Sequence, residues 1–304
     1  MTLLSPAATG HAPAAAPAGG SRSVVLRALL RNKLAVLALA VLAVLLIAAL
    51  FAPLVAPYDP NAQNLILRLR PPAWQDGGSG AHLLGTDQLG RDMLSRVIYG
   101  ARVSLLVGAG AALLAGVIGT VVGLASGYFG GWADRVLMRL ADVQLAFPSL
   151  LLALAIVGFL GSGLWYVILV LGFTGWVSYA RVVRSEVMSL RTRDFITEAR
   201  AIGVTDVTIM RRHLLPNVMA PLATIGTLHV AAAIVAEASL SYLGLGVPKE
   251  TVTWGAMLSD GQLYLGTSWW VAVFPGIALM LTSLAINITG DALRDVADPK
   301  VYRR

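Results

Sequence analysis

Six stretches of mainly apolar positions recur along the chain, at about 34–56, 103–125, 138–160, 163–181, 217–240 and 268–289. A helix crosses about 30 Å of hydrocarbon with about 20 residues, at about 1.5 Å of rise each. Each stretch therefore predicts a membrane span, and the fold class is an all-α polytopic membrane protein with six transmembrane helices. The third and fourth spans are divided only by Gly161-Ser162-Gly163. One helix over 138–181 would be far longer than a bilayer is thick, so two are expected. Pro148 predicts a kink in the third.

The polar intervals complete the organisation. Residues 1–24 read as a disordered tail, rich in Ala, Pro and Gly without apolar periodicity. Residues 25–56 hold the N-terminal segment and first span, 57–102 an extracytoplasmic segment, 103–290 the membrane core with a cytoplasmic segment at 182–216, and 291–304 a C-terminal tail. Orientation follows from Lys and Arg. With the N-terminus inside, 17 of the 23 fall on the cytoplasmic side, and Arg68, Arg70, Arg91, Arg96, Arg102 and Lys249 fall outside. Both termini are then cytoplasmic. The run after Arg27, Arg31 and Lys33 is long enough to be a retained helix, and no basic n-region precedes a short apolar core nearer the start.

Composition narrows the classes. Hydrophobic residues make up 57% of the chain and charged residues 13%, too apolar for a wholly water-facing surface. The net charge of +7 belongs to basic residues flanking apolar runs, which is a topology signal and not a nucleic-acid patch. Without cysteine there is no disulfide, thiolate or Cys-based metal chemistry. His11, His82, His213 and His229 are too scattered to suggest a metal cage.

The segment 182–216 is charged but rich in helix formers, divided by Gly203 and closed by Pro216, which predicts a helix–turn–helix at the membrane surface. Thr205 or Asp206 is placed to cap its second helix. Gly119, Gly123 and Gly127 recur every fourth residue, with Gly116 beside them, and such small residues let another helix approach closely. Asp142, Gln144, His229, Glu237, Asn287 and Asp291 are polar groups in or beside apolar spans. Each must face protein, water or headgroups. For Asp142, His229, Glu237 and Asn287 a pathway role and a structural role both stand, the structural one leading for Glu237.

A resemblance narrows the function. His82-Leu83-Leu84-Gly85-Thr86-Asp87, Gly90-Arg91-Asp92, Leu94-Ser95-Arg96 and Tyr99-Gly100-Ala101-Arg102 stand after the first span. Glu237-Ala238-Ser239-Leu240-Ser241-Tyr242-Leu243-Gly244-Leu245-Gly246, Trp254-Gly255-Ala256-Met257-Leu258 and Asn287-Ile288-Thr289-Gly290-Asp291 follow later. Together they resemble the C-type membrane subunit of bacterial dipeptide and oligopeptide permeases, in the inner-membrane component family of binding-protein-dependent transporters. The likeness extends over nearly everything but the N-terminal tail. The cytoplasmic segment also resembles the family's coupling signature. Thr197, Glu198 and Ala199 occupy its first three positions, so the acidic residue is displaced by one. Gly203, Leu215 and Pro216 match, while His213 stands where an apolar residue is common.

The resemblance implies a type I ABC importer permease fold in a bacterial cell membrane. It implies pairing with a related B-type permease subunit, docking on one or two cytoplasmic ABC ATPase subunits, and solute delivery by an extracytoplasmic binding protein. ATP and Mg are expected on the ATPases, with no cofactor or metal on this chain. The sequence has no Gly-x-x-x-x-Gly-Lys-Ser/Thr phosphate loop. Import of nickel chelates or glutathione by the same type of complex is the nearest alternative. An independent ion-coupled transporter would show repeat-related broken helices and a compact polar midplane site. A membrane enzyme would show a nucleophile–base or metal constellation.

Overall fold

The computed structural model describes residues 32–248 and 250–297. The whole of the tail expected at 1–24, Arg27 and Arg31 of the basic flank after it, and residues 298–304 of the C-terminal tail lie outside these residues. Regular structure within them is helical, apart from one isolated bridge between Thr86 and Asp92. Helix α1 spans Lys33–Leu50 and is opened by Asn32, whose Oδ1 accepts from the Leu34 and Ala35 N–H groups at 3.0 and 3.3 Å. A short α2 (Ala52–Val55) follows. Next come α3 (Met93–Phe129), α4 (Gly131–Leu145), α5 (Ser149–Leu160) and α6 (Leu164–Leu190). Helix α7 (Asp194–Ala201) leads through a turn to α8 (Asp206–Thr208), which continues through a π-helical stretch, Ile209–Leu214, into α9 (Leu215–Tyr242). Helices α10 (Trp254–Gly261) and α11 (Trp270–Ala297) complete the chain.

Five helical runs are long and apolar enough to cross a membrane: α1, α3, α6, the run from Asp206 to Tyr242, and α11. The third expected span is not one helix. Its residues divide between α4 and α5, which meet at 87°. The break is sharper than a kink because Pro148 offers no N–H and pushes Phe147 out of the helical region. Hydropathy also understated several helices. Helix α3 begins ten residues before its apolar stretch, where Asp92 accepts from the Ser95 N–H at 2.8 Å and caps the first turn. Helix α6 runs on to Leu190, and α11 continues into the interval assigned to the tail.

Helix α3 is the central post. Its most extensive packing is with α6, and it also meets α9, α1 and α4. Val107 and Ala111 of α3 close on Val167, Ile168 and Leu171 of α6 with Ala153 and Val157 of α5. Large apolar side chains remain exposed around the outside, among them Leu37, Leu113, Val117, Val121, Leu151 and Phe159. Such a belt suits a hydrocarbon solvent, where apolar side chains gain nothing by turning inward. The segment 57–92 gathers at the end where α3 begins, and α7 lies at the end where α3 finishes.

Candidate functional site

At the second of these ends, α7 presents two faces. Ile196 and Ala199 are buried against Tyr128, Val183, Val187, Ile209, Leu214 and Val218, whereas Thr197, Glu198 and Arg200 are exposed. The helix is stopped by a Schellman turn. Gly203 N–H donates to the Arg200 carbonyl and Val204 N–H to the Ala199 carbonyl, both at 3.0 Å. Gly203 has φ +81°, and nothing lies within 4 Å of where a Cβ would stand. Its requirement is therefore the left-handed backbone alone, with no neighbouring group to exclude a side chain.

Two expectations for the following segment change. Thr205 occupies the N-cap position of α8 without a side-chain cap bond to the backbone; its Oγ1 instead lies 2.9 Å from Thr208 Oγ1. Pro216 does not close the element, because the helix runs through it from Asp206 to Tyr242. The π-helical turn Ile209–Leu214 lies just before the proline and loosens the ladder where its ring and missing N–H would otherwise conflict with the preceding turn. Leu215 is half-buried beside Ile209 and Leu214, and His213 lies 6.5 Å from the Phe195 ring.

Tyr128 ties this element to the membrane helices. Its hydroxyl donates to Asp206 Oδ1 at 2.5 Å, and Arg200 lies over its ring at 4.8 Å with Nε 3.3 Å from the hydroxyl oxygen. Nearby, Arg184 Nε and Nη2 donate to the two Asp134 oxygens at 2.5 and 2.7 Å, and Ser126 Oγ donates to Oδ1 at 2.5 Å. This forked pair locks α3, α4 and α6 together. Arg191 Nη1 donates to the Gly127 carbonyl at 3.1 Å. Sequence reasoning missed these links. The one available signal was charge of opposite sign at Asp134 and Arg184, each beside an apolar run.

The glycine seam faces α6. A Cβ on Gly119 would stand 2.4 Å from Tyr179 Cβ, one on Gly123 2.7 Å from Val183 Cβ, and one on Gly127 2.9 Å from Val187 Cβ. The polar span residues are dispersed. Asp142 pairs with Arg181 at 2.8 Å. His229 is half-buried with its ring 4.6 Å from that of Tyr179. Glu237 is fully buried, its Oε1 accepting from Ser241 Oγ at 2.7 Å and its Oε2 from Ser104 Oγ at 3.3 Å. Asn287 is half-buried on α11. The structure does not gather these four into one site.

At the opposite end, the motif residues of 57–102 fold into a buried polar cluster. Arg91 Nε donates to Asp87 Oδ2 at 2.6 Å, Arg96 Nη1 donates to the Pro60 carbonyl at 3.1 Å, and His82 Nδ1 lies 2.9 Å from Asp92 Oδ1. Trp270 Nε1 of α11 donates to the Thr86 carbonyl at 3.0 Å, and Trp254 Nε1 of α10 to the Val97 carbonyl at 3.0 Å. Among the described residues no group of three or more His, Asp or Glu is placed to hold a metal ion.

A multi-span helical chain with a surface helix–turn element wedged between two of its long helices has the build of a membrane permease subunit. It belongs to the family described as binding-protein-dependent transport system inner membrane component, whose model matches residues 119–303. The model for the N-terminal TM domain of oligopeptide transport permease C matches residues 22–72. The chain is 44% identical over 270 residues, 89% of each protein, to the di/tripeptide transport system permease protein DppC of Pseudomonas aeruginosa. It is 45% identical over 271 residues to the dipeptide transport system permease protein DppC of Escherichia coli, covering 89% of this chain and 90% of that one. A putative peptide transport system permease protein of Brucella abortus is 40% identical over 284 residues, 93% of this chain and 94% of that one. Among solved structures, a chain of the MetNI methionine ABC transporter in inward-facing conformations superposes with a TM-score of 0.54 at 22% identity, over 67% of this chain and 97% of that one. That likeness shows the fold alone, the type I ABC importer permease fold; the multi-pass inner-membrane setting follows from the family and from the five long apolar helices.

Proposed function

We propose that this chain is the C-type membrane subunit of an ATP-driven importer for dipeptides or oligopeptides. The observation that carries this reading is identity of 44% and 45% to two peptide permeases across about nine-tenths of the chain. In this reading the chain lines half of the translocation pathway and pairs with a B-type permease subunit. Both termini and α7 are cytoplasmic, and 57–92 faces the side from which a binding protein delivers solute. The exposed Thr197–Glu198 face of α7 docks on one or two ABC ATPase subunits that hold ATP and Mg. Its buried face passes their motion to α3 and α6 through Tyr128, Val183 and Val187.

The test is uptake by the complete complex in lipid vesicles, with permease partner, ATPases and binding protein. ATP-dependent accumulation of radiolabelled dialanine supports the reading. Accumulation of a nickel chelate or glutathione with exclusion of dialanine overturns the substrate class, and uptake that persists without the ATPases overturns the mechanism.

A further inference from the structure

Helix α6 has exposed positions on two different faces. One, in its first half towards the 57–92 end, carries Trp165, Leu169 and Phe173. The other, in its second half, carries half-buried Thr174 and exposed Ser178, Arg181 and Ser185. Positions 174, 178, 181 and 185 are four, three and four apart and so share one helix face. Gly175 packs against Ala115, Gly119 against Tyr179, Gly123 against Ala180 and Val183, and Gly127 against the Arg184 carbonyl. From Thr174 to Arg181 the polar line thus runs beside positions 115–123 of α3, within its apolar stretch, and Ser185 lies at the end of that stretch.

Beside it stands an ion pair of unusual exposure. Arg181 Nη2 donates to Asp142 Oδ1 at 2.8 Å with the two side chains 51% and 53% exposed. The neighbouring Arg184–Asp134 pair is packed, at 31% and 20%. Asp142 is held at this place by Gln144, whose Nε2 donates to the Thr174 carbonyl and whose Oε1 accepts from Trp176 Nε1, each at 2.7 Å. Arg181 is the last residue of the span read at 163–181, where a charge costs less than the about 2.5–3.5 kcal/mol of mid-span; the pair is nonetheless open and flanked by hydroxyls. Such a face suits water or a polar solute in front of it better than hydrocarbon.

We propose that the Thr174–Ser185 face of α6, together with Asp142 of α4, walls the aqueous path of the solute, and that Asp142 and Arg181 receive the two charged termini of a passing peptide. This rests on the peptide-importer reading above. Empty, the pair neutralises itself. A zwitterionic peptide exchanges that ion pair for two, its ammonium on Asp142 and its carboxylate on Arg181, with no change in net charge. A solute lacking either terminus leaves one side chain without a counter-charge, so the pair discriminates at the transfer step.

The chain has no cysteine, which makes a direct test available in the complete complex in vesicles. A thiol at Ser178→Cys is expected to react with a membrane-impermeant methanethiosulfonate at least about tenfold faster than one at Leu113→Cys, at the middle of the apolar stretch of α3 and exposed on the outer belt, since a thiol held in lipid stays protonated. Saturating dialanine is expected to slow that reaction. Equal slow labelling at both positions in every nucleotide state would place the face against lipid or the partner permease and overturn the proposal. The double variant Asp142→Asn/Arg181→Gln keeps a hydrogen-bonding pair between α4 and α6 without charge. With assembly and Ser178→Cys labelling unchanged, it is expected to lose about tenfold in dialanine uptake, equivalent to about 1.4 kcal/mol. Wild-type uptake by this double variant overturns the role of the charges. Failure of the wild-type complex itself to accumulate dialanine overturns the peptide reading instead, so the two failures are distinguishable.

Discussion

Tyr128 donates its hydroxyl hydrogen to Asp206 across 2.5 Å, joining the last turn of α3 to the helix that follows the Gly203 turn. The same tyrosine carries Arg200 of α7 over its ring. One side chain thereby connects a membrane post to both limbs of the surface element, so a push on either limb reaches α3 without passing through a flexible loop.

Tyr128→Phe keeps the buried ring and removes the hydroxyl. The lost hydrogen bond, to a charged carboxylate, is worth about 1.5–3 kcal/mol, too little to unfold the chain but enough to loosen 194–208. Hydrogen exchange in that segment is expected to accelerate while insertion and permease pairing stay normal. The number of peptides accumulated per ATP is expected to fall. Unchanged exchange and unchanged stoichiometry would show that the link carries no motion.

At Gly203 the backbone, and not crowding, sets the requirement. A left-handed conformation costs an ordinary L residue about 1–2 kcal/mol, less for Asn. Gly203→Asn should therefore keep near-wild-type ATPase association and uptake, and Gly203→Val should lose both at normal abundance. Equal behaviour of the two variants in ATPase pull-down would refute the turn's role.

Gly123→Leu inserts a side chain where Val183 already stands, whereas Gly158 on α5 has nothing within 4 Å of its Cβ direction. Overpacking typically costs about 1–3 kcal/mol. Gly123→Leu is expected to reduce assembled complex, and Gly158→Leu to leave it intact, by size-exclusion of the solubilised permease pair.

Asp87→Asn leaves Arg91 and Arg96, both buried, without their shared carboxylate. Removing one partner from a buried ion pair costs about 3–5 kcal/mol. Lower abundance and protease cleavage within 57–92 are expected. Wild-type abundance with an intact segment would mean that the cluster is not holding it.

Gln75 and Phe195 lie at opposite ends of α3, a helix of 37 residues. Single cysteines at these positions should label from opposite faces of the membrane, Gln75→Cys from outside and Phe195→Cys from the cytoplasm. Labelling from one face would overturn the topology.

Apolar runs of membrane length were legible in the sequence because backbone groups in hydrocarbon must pair within their own segment, so length and hydropathy alone determine a span. The turn at Gly203 was legible too, since it depends on one residue's φ. Tertiary structure alone decided which helix the glycine seam meets, because spacing marks a face and not its partner. It alone showed that the span around Pro148 is bent by 87° and that a π-helical turn carries the chain through Pro216. A proline's effect depends on whether neighbouring packing holds the freed carbonyls. It also separated Asp134 from Asp142, two carboxylates of one helix. One is packed beneath Arg184 and the other left open beside Arg181, a difference set by the neighbours that α6 supplies and invisible to any reading of α4 alone.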